Sequence, residues 1–67
     1  MKIVLNNNPA VFTQPSLTVS QLLTERNYTF KMLVIKINGT LVKKSEYETA
    51  AIRDGDDVSV LHLISGG

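Results

Sequence analysis

The chain has 67 residues, no cysteine, and seven basic against six acidic residues, for a formal charge of +1. That size fits one small domain, near the limit at which an apolar core suffices without a metal or disulfide. The lack of cysteine excludes a disulfide framework, a thiolate metal site and any persulfide or thioester on a side chain, and the even charge balance is far from that of a nucleic-acid binder.

The opening apolar stretch, Met1 and then Ile3, Val4 and Leu5, runs straight into three asparagines. It is too short for a signal peptide or a membrane span, so the expectation is a cytoplasmic protein. Asn27-Tyr28-Thr29 and Asn38-Gly39-Thr40 match the glycosylation pattern, but without a secretory route they read as turns.

Residues 2–6 read as a strand, with Ile3 and Leu5 on one face and Val4 on the other. Asn6, Asn7, Asn8 and Pro9 break it. Asparagine tolerates turn conformations and proline cannot donate to a ladder, so an edge strand over residues 10–13 is predicted to follow, ended by Pro15. Thr18 with Gln21 three residues on forms a capping-box pattern, and Leu17 and Leu22 suit a hydrophobic staple. A helix of about two turns is predicted from Val19, with Val19, Leu22 and Leu23 inward and Asn27 as its left-handed terminator. No other segment reads as helical, so a sheet must cover its apolar face.

Leu33, Ile35 and Ile37 alternate with Val34, Lys36 and Asn38 as a further strand, and Asn38-Gly39 is a strong hairpin signal with Leu41 and Val42 returning. A charged connection follows over residues 43–48, with Tyr47 folded back onto the body. Asp54-Gly55-Asp56 is another turn. The final strand over residues 58–64 puts Val58 and Val60 on one face and Ser59, Leu61 and Leu63 on the other. The predicted order is ββαββ, or ββαβββ with a small extra strand: an α+β fold of one sheet and one helix.

Ser65, Gly66 and Gly67 follow that strand with no linker. Glycine occurs at roughly 7% per position, so a terminal pair arises by chance about once in 200 chains. A terminal glycine presents a carboxylate with no side chain on its own Cα, and a second glycine removes the next Cβ, so such a tail can thread a narrow channel. Three extended residues reach about 10 Å. Residues 1–64 are therefore read as the folded domain and 65–67 as a flexible tail, whose weak intrinsic binding needs a docking face on the body. Strand parity supplies a candidate. If Ile3, Leu5, Ile35, Ile37, Val58 and Val60 face the helix, then Val4, Val34, Leu61 and Leu63 face away. Burying each against a partner contributes about 1.5 to 3 kcal/mol. Scattered exposed apolar residues are ordinary; these lie on strands leading into the tail.

The order of elements, Ile37-Asn38-Gly39, Ser45-Glu46-Tyr47, Arg53-Asp54-Gly55-Asp56 and the closing Ile64-Ser65-Gly66-Gly67 together resemble the thiamine-biosynthesis sulfur carriers, the ThiS family, across the whole chain. The resemblance implies a ubiquitin-like β-grasp fold, with a mixed four- to five-stranded sheet packed on one helix. It implies a carrier and not an enzyme. A partner adenylyltransferase of the ubiquitin-activating class, with ATP and magnesium bound on that partner, converts the Gly67 carboxylate to an acyl adenylate. Sulfur from a persulfide donor then leaves a thiocarboxylate, which goes to thiazole synthase. Gly67 is the carrying residue, with Gly66 and Ser65 giving clearance. Lys43 and Lys44 stand where many relatives have proline and arginine, and Ser65 replaces a frequent alanine.

The residues agree with that chemistry. A carboxylate is a poor acyl donor, and adenylation supplies a leaving group; a chain without cysteine can hold sulfur only at its terminus. Alternatives within the fold are a molybdopterin-synthase-type carrier and a ubiquitin-like protein modifier, and outside it a β-grasp interaction module with an incidental diglycine. Asp54, Asp56 and Asp57 lack the ligand spacing of a calcium loop and read as a turn. His62 is the only histidine and reads as a rim residue half covering the core. Lys43 and Lys44 read as a solvated pair able to steer an acidic partner. No phosphate-binding glycine loop is present, so ATP belongs to the partner.

Overall fold

In a computed structural model describing residues 1–29 and 32–63, the opening alternation becomes β1 (Lys2–Leu5), with Ile3 and Leu5 buried and Lys2 and Val4 exposed. Asn6 and Asn7 take φ of 50° and 66°. Two left-handed residues are what a two-residue hairpin of matching twist requires, and β2 (Asn8–Val11) returns antiparallel in the register Ile3 with Ala10 and Val4 with Pro9. The edge strand therefore begins two residues earlier than its sequence suggests, and Pro9 lies inside it. Leu5 and Asn8 close the turn, so alternation puts Pro9 at a non-hydrogen-bonded pair, and its missing N–H falls on the outer edge of the sheet.

Beyond β2, Phe12 is buried with the Arg26 guanidinium 4.8 Å above its ring. A short strand then appears that the sequence reading did not contain: β3 (Ser16–Thr18), paired antiparallel with β6 (Ala51–Arg53) as a separate two-stranded ribbon. Each contributes one inward residue, Leu17 and Ile52, which face each other in the register. The order is thus βββαββββ rather than ββαββ or ββαβββ.

α1 (Val19–Glu25) starts as its capping pattern dictates. The Gln21 N–H donates to Thr18 Oγ1 at 3.1 Å and the Thr18 N–H donates to Gln21 Oε1 at 2.9 Å. At its end Tyr28 N–H bonds the Leu23 carbonyl at 2.8 Å and Asn27 N–H the Thr24 carbonyl at 3.2 Å, with Asn27 at φ 58°. This is a Schellman termination, which needs a left-handed residue where asparagine stands.

β4 (Leu33–Ile37) and β5 (Thr40–Val42) form the second hairpin, turning through Asn38 at φ 51° and Gly39 at φ 84°. A 3-10 turn at Lys44–Glu46 follows and Tyr47 packs onto the core. After β6 the chain turns at Gly55, φ 87°, into β7 (Asp57–His62). The main sheet has the order β2-β1-β7-β4-β5, with β1 and β7 parallel and the other pairs antiparallel. Its inner face, Ile3, Leu5, Ile35, Val58 and Val60, packs with Val19 and Leu22 of α1 and with Leu17 and Ile52 of the ribbon.

Candidate docking face and the strand that leads to the tail

β7 is the strand that runs toward Ser65, Gly66 and Gly67, which lie outside the described residues, as does Ile64. It occupies the middle of the sheet. On one side β4 pairs with it from Ile37–Val58 to Leu33–His62. On the other, β1 reaches only Asp57 and Val58 before the chain turns away.

Two asparagines complete its fixation. Asn6 donates its N–H to the Val58 carbonyl at 2.9 Å, and its Oδ1 accepts the Val60 N–H at 2.8 Å, so the side chain supplies the acceptor that one more strand residue would have offered. Asn38 donates its N–H to the Asp57 carbonyl at 2.7 Å, and its Oδ1 accepts the Asp57 N–H at 2.9 Å, standing in for a carbonyl that the left-handed turn swings away. Its Nδ2 donates to Asp56 Oδ1 at 3.0 Å, while Asp56 Oδ2 takes the Arg53 N–H at 2.9 Å. Asp54 Oδ1 accepts the Lys2 N–H at 2.7 Å. These carboxylates serve the turn, and among the described residues no cluster of His, Asp and Glu is arranged to hold a metal ion. His62 is exposed opposite Leu33 and does not cover the core.

Side chains alternate sharply across β7: Val60 is 7% exposed and Leu61 is 55% exposed. On the outer face Leu61 lies opposite Val34, which is half-buried. The Leu63 N–H donates to the Met32 carbonyl at 3.0 Å, extending the pairing one step past the strand and keeping exposed Leu63 on the same face. Leu41 of β5 joins them, exposed opposite Lys36. Between Val34, Leu41, Leu63, Met32 and Tyr47 lies an apolar hollow of about 420 Å³ with Lys43 and Lys44 at its rim.

Val4 is on the same outer face but elsewhere. It lies opposite Pro9 and Asp57, with Val11 further along β2. From Asp57 to Leu61 is four residues, about 13 Å of strand, and Ser59 and Lys36 occupy the interval. The structure thus brings Val34, Leu61 and Leu63 together and leaves Val4 in a second patch. Met32 and Leu41, absent from the sequence-derived face, complete the first. Leu41 was legible as the start of a returning strand; Met32 carried no periodic signal.

A five-stranded mixed sheet in this order over one capped helix, its central strand leading to a diglycine, defines a ubiquitin-like β-grasp domain. The chain belongs to the ThiS family, whose model matches residues 3–67. It superposes on the crystal structure of a thiamine biosynthesis protein (ThiS) from Geobacter metallireducens with a TM-score of 0.89 at 25% identity, covering 100% of both chains. The solution structure of a thiamine biosynthesis protein from the same organism gives 0.80 at 26% identity, over 100% of this chain and 88% of that one. A thiazole synthase of Paramagnetospirillum magneticum is 34% identical over 67 residues, 100% of this chain but only 20% of the relative's length. Among the described residues no helix is long and apolar enough to cross a membrane.

Proposed function

We propose that this chain is the sulfur carrier of a thiamine-type thiazole synthesis, a substrate of its partner enzymes and not itself a catalyst. What carries the proposal is that the family match runs through residue 67 and so takes in Gly66 and Gly67 as well as the folded body. The Gly67 carboxylate attacks the α-phosphate of ATP, held with magnesium by an adenylyltransferase of the ubiquitin-activating class, and pyrophosphate leaves. The terminal sulfur of a persulfide donor then displaces AMP, and cleavage of the resulting S–S bond by a thiol leaves a thiocarboxylate on Gly67. Thiazole synthase takes the sulfur. A segment 34% identical to this chain within a protein named thiazole synthase supports that pairing.

The folded body contributes position. Val34, Leu61, Leu63, Leu41 and Met32 offer an apolar surface at the root of the tail, and Lys43 and Lys44 beside it suit an acidic partner rim. Asn6 and Asn38 tie β7, which carries Leu61 and leads into Leu63, to the neighbouring turns by accepting the Val60 and Asp57 N–H groups. Gly66 leaves room around the terminus in a channel, and Ser65 is small enough to follow. The test is pyrophosphate exchange into ATP by a matched adenylyltransferase. The full chain is expected to support exchange and the chain lacking Gly67 to abolish it while keeping its circular dichroism. Equal exchange by both would sink the carrier reading in favour of a plain interaction module, and adenylation followed by attachment to lysines would favour a protein modifier.

A further inference from the structure

We propose that Asn38–Gly39 is a site of spontaneous deamidation, restrained in the folded chain by Asp56 and Asp57, whose conversion turns a clasp on β7 into a repulsion. Asn38 is the one asparagine in the sequence followed by glycine. The next backbone nitrogen can close a five-membered ring on an asparagine Cγ, and glycine places no side chain in the way. Asn38 and Gly39 are exposed, and the space around Gly39 where a Cβ would stand is open to 4 Å.

The chemistry needs only water. The Gly39 nitrogen gives up its proton and bonds to Asn38 Cγ. The Cγ–Nδ2 bond breaks and Nδ2 leaves as ammonia with that proton, forming a succinimide. Water opens the imide at either carbonyl, giving aspartate or isoaspartate at position 38. No oxidant or reductant takes part.

For attack, Cγ must turn toward the Gly39 nitrogen, which breaks the bonds from Nδ2 to Asp56 Oδ1 at 3.0 Å and from the Asp57 N–H to Oδ1 at 2.9 Å. The fold therefore slows the step. Once it occurs, aspartate places an acceptor where a donor stood, against the Asp56 carboxylate, and two carboxylates at that distance repel. Isoaspartate instead lengthens the backbone of a two-residue turn and breaks the register of Ile37 with Thr40. Both products loosen the start of the strand that leads to Gly66 and Gly67.

The experiment holds the full chain in mildly alkaline buffer, native and in concentrated urea, and follows the mass gain of NH2 replaced by OH, with fragmentation to place it. Asn38 is expected to convert first, and more slowly in native buffer than in urea. In native buffer Asp56→Ala is expected to convert about fivefold faster than wild type, the worth of one side-chain hydrogen bond, with the difference vanishing in urea. Asp56→Asn, which keeps an acceptor for Asn38 in a folded chain, stays near the wild-type rate. Asn38→Asp is expected to speed amide exchange at Val58 and Val60. Earlier conversion at another asparagine, equal rates native and in urea, or unchanged exchange in β7 would each overturn the proposal.

Discussion

Asn6 does with one residue what strand pairing does elsewhere with two. Its left-handed backbone starts the hairpin, and its side chain extends β1 sideways to Val60. Asn6→Ala removes that acceptor and leaves a Cβ in a left-handed turn, so urea unfolding is expected to show a loss of about 2 kcal/mol. Asn6→Asp keeps both the acceptor and the turn tolerance and is expected to stay within about 0.5 kcal/mol of wild type. Equal losses in the two variants would mean that the side-chain bond contributes nothing. At this scale the sequence was legible where partners are close along the chain: Thr18 with Gln21, Asn27 after α1, and Gly39 and Gly55 in their turns. It was not legible where they are distant. Nothing in Asn6 or Asn38 announces a partner 54 or 19 residues away, because the asparagine turn signal is the same whether or not the side chain reaches a neighbouring strand.

Periodicity identified β1, β4, β7 and α1 because each has enough residues to repeat. The β3–β6 ribbon has three residues in each strand, one inward apiece, and a single apolar residue between two polar ones has no period to detect. Ile52 is nevertheless fully buried. Ile52→Ala is expected to cost about 2 to 4 kcal/mol, a large part of the roughly 3 to 10 kcal/mol that a chain of this size commands, and thermal unfolding checks it. The outer face was legible as parity, but its division into two patches was not, since that depends on how far β1 slides along β7. The division can be tested. Leu61→Asp is expected to leave the fold intact and weaken adenylyltransferase binding at least about tenfold, corresponding to the burial of one large apolar side chain. Val4→Asp, in the other patch, is expected to change affinity much less. Calorimetric titration decides between one docking patch and a whole docking face, and equal losses would indicate the whole face.

Taken whole, ribbon, helix and sheet share one core, β7 runs through the middle of the sheet, and an apolar surface flanked by Lys43 and Lys44 lies beside its end. The ThiS membership and the fold follow from that architecture and the matches to it, whereas the chemistry at Gly67 is the proposed part. If Gly66 has the proposed clearance role, Gly66→Val is expected to leave stability unchanged and to lower adenylation by at least an order of magnitude, because a branched side chain takes up the space that glycine leaves open. Full activity in that variant would remove clearance as its role. Sulfur carriage at Gly67 is tested most directly by intact-protein mass spectrometry after incubation with ATP, magnesium, a matched adenylyltransferase, a persulfide donor and a reducing thiol, with fragmentation across the last residues. Replacement of one oxygen by sulfur at Gly67 is the expected result. An unmodified Gly67, with an adenylyltransferase that is active on its own carrier, would contradict the account.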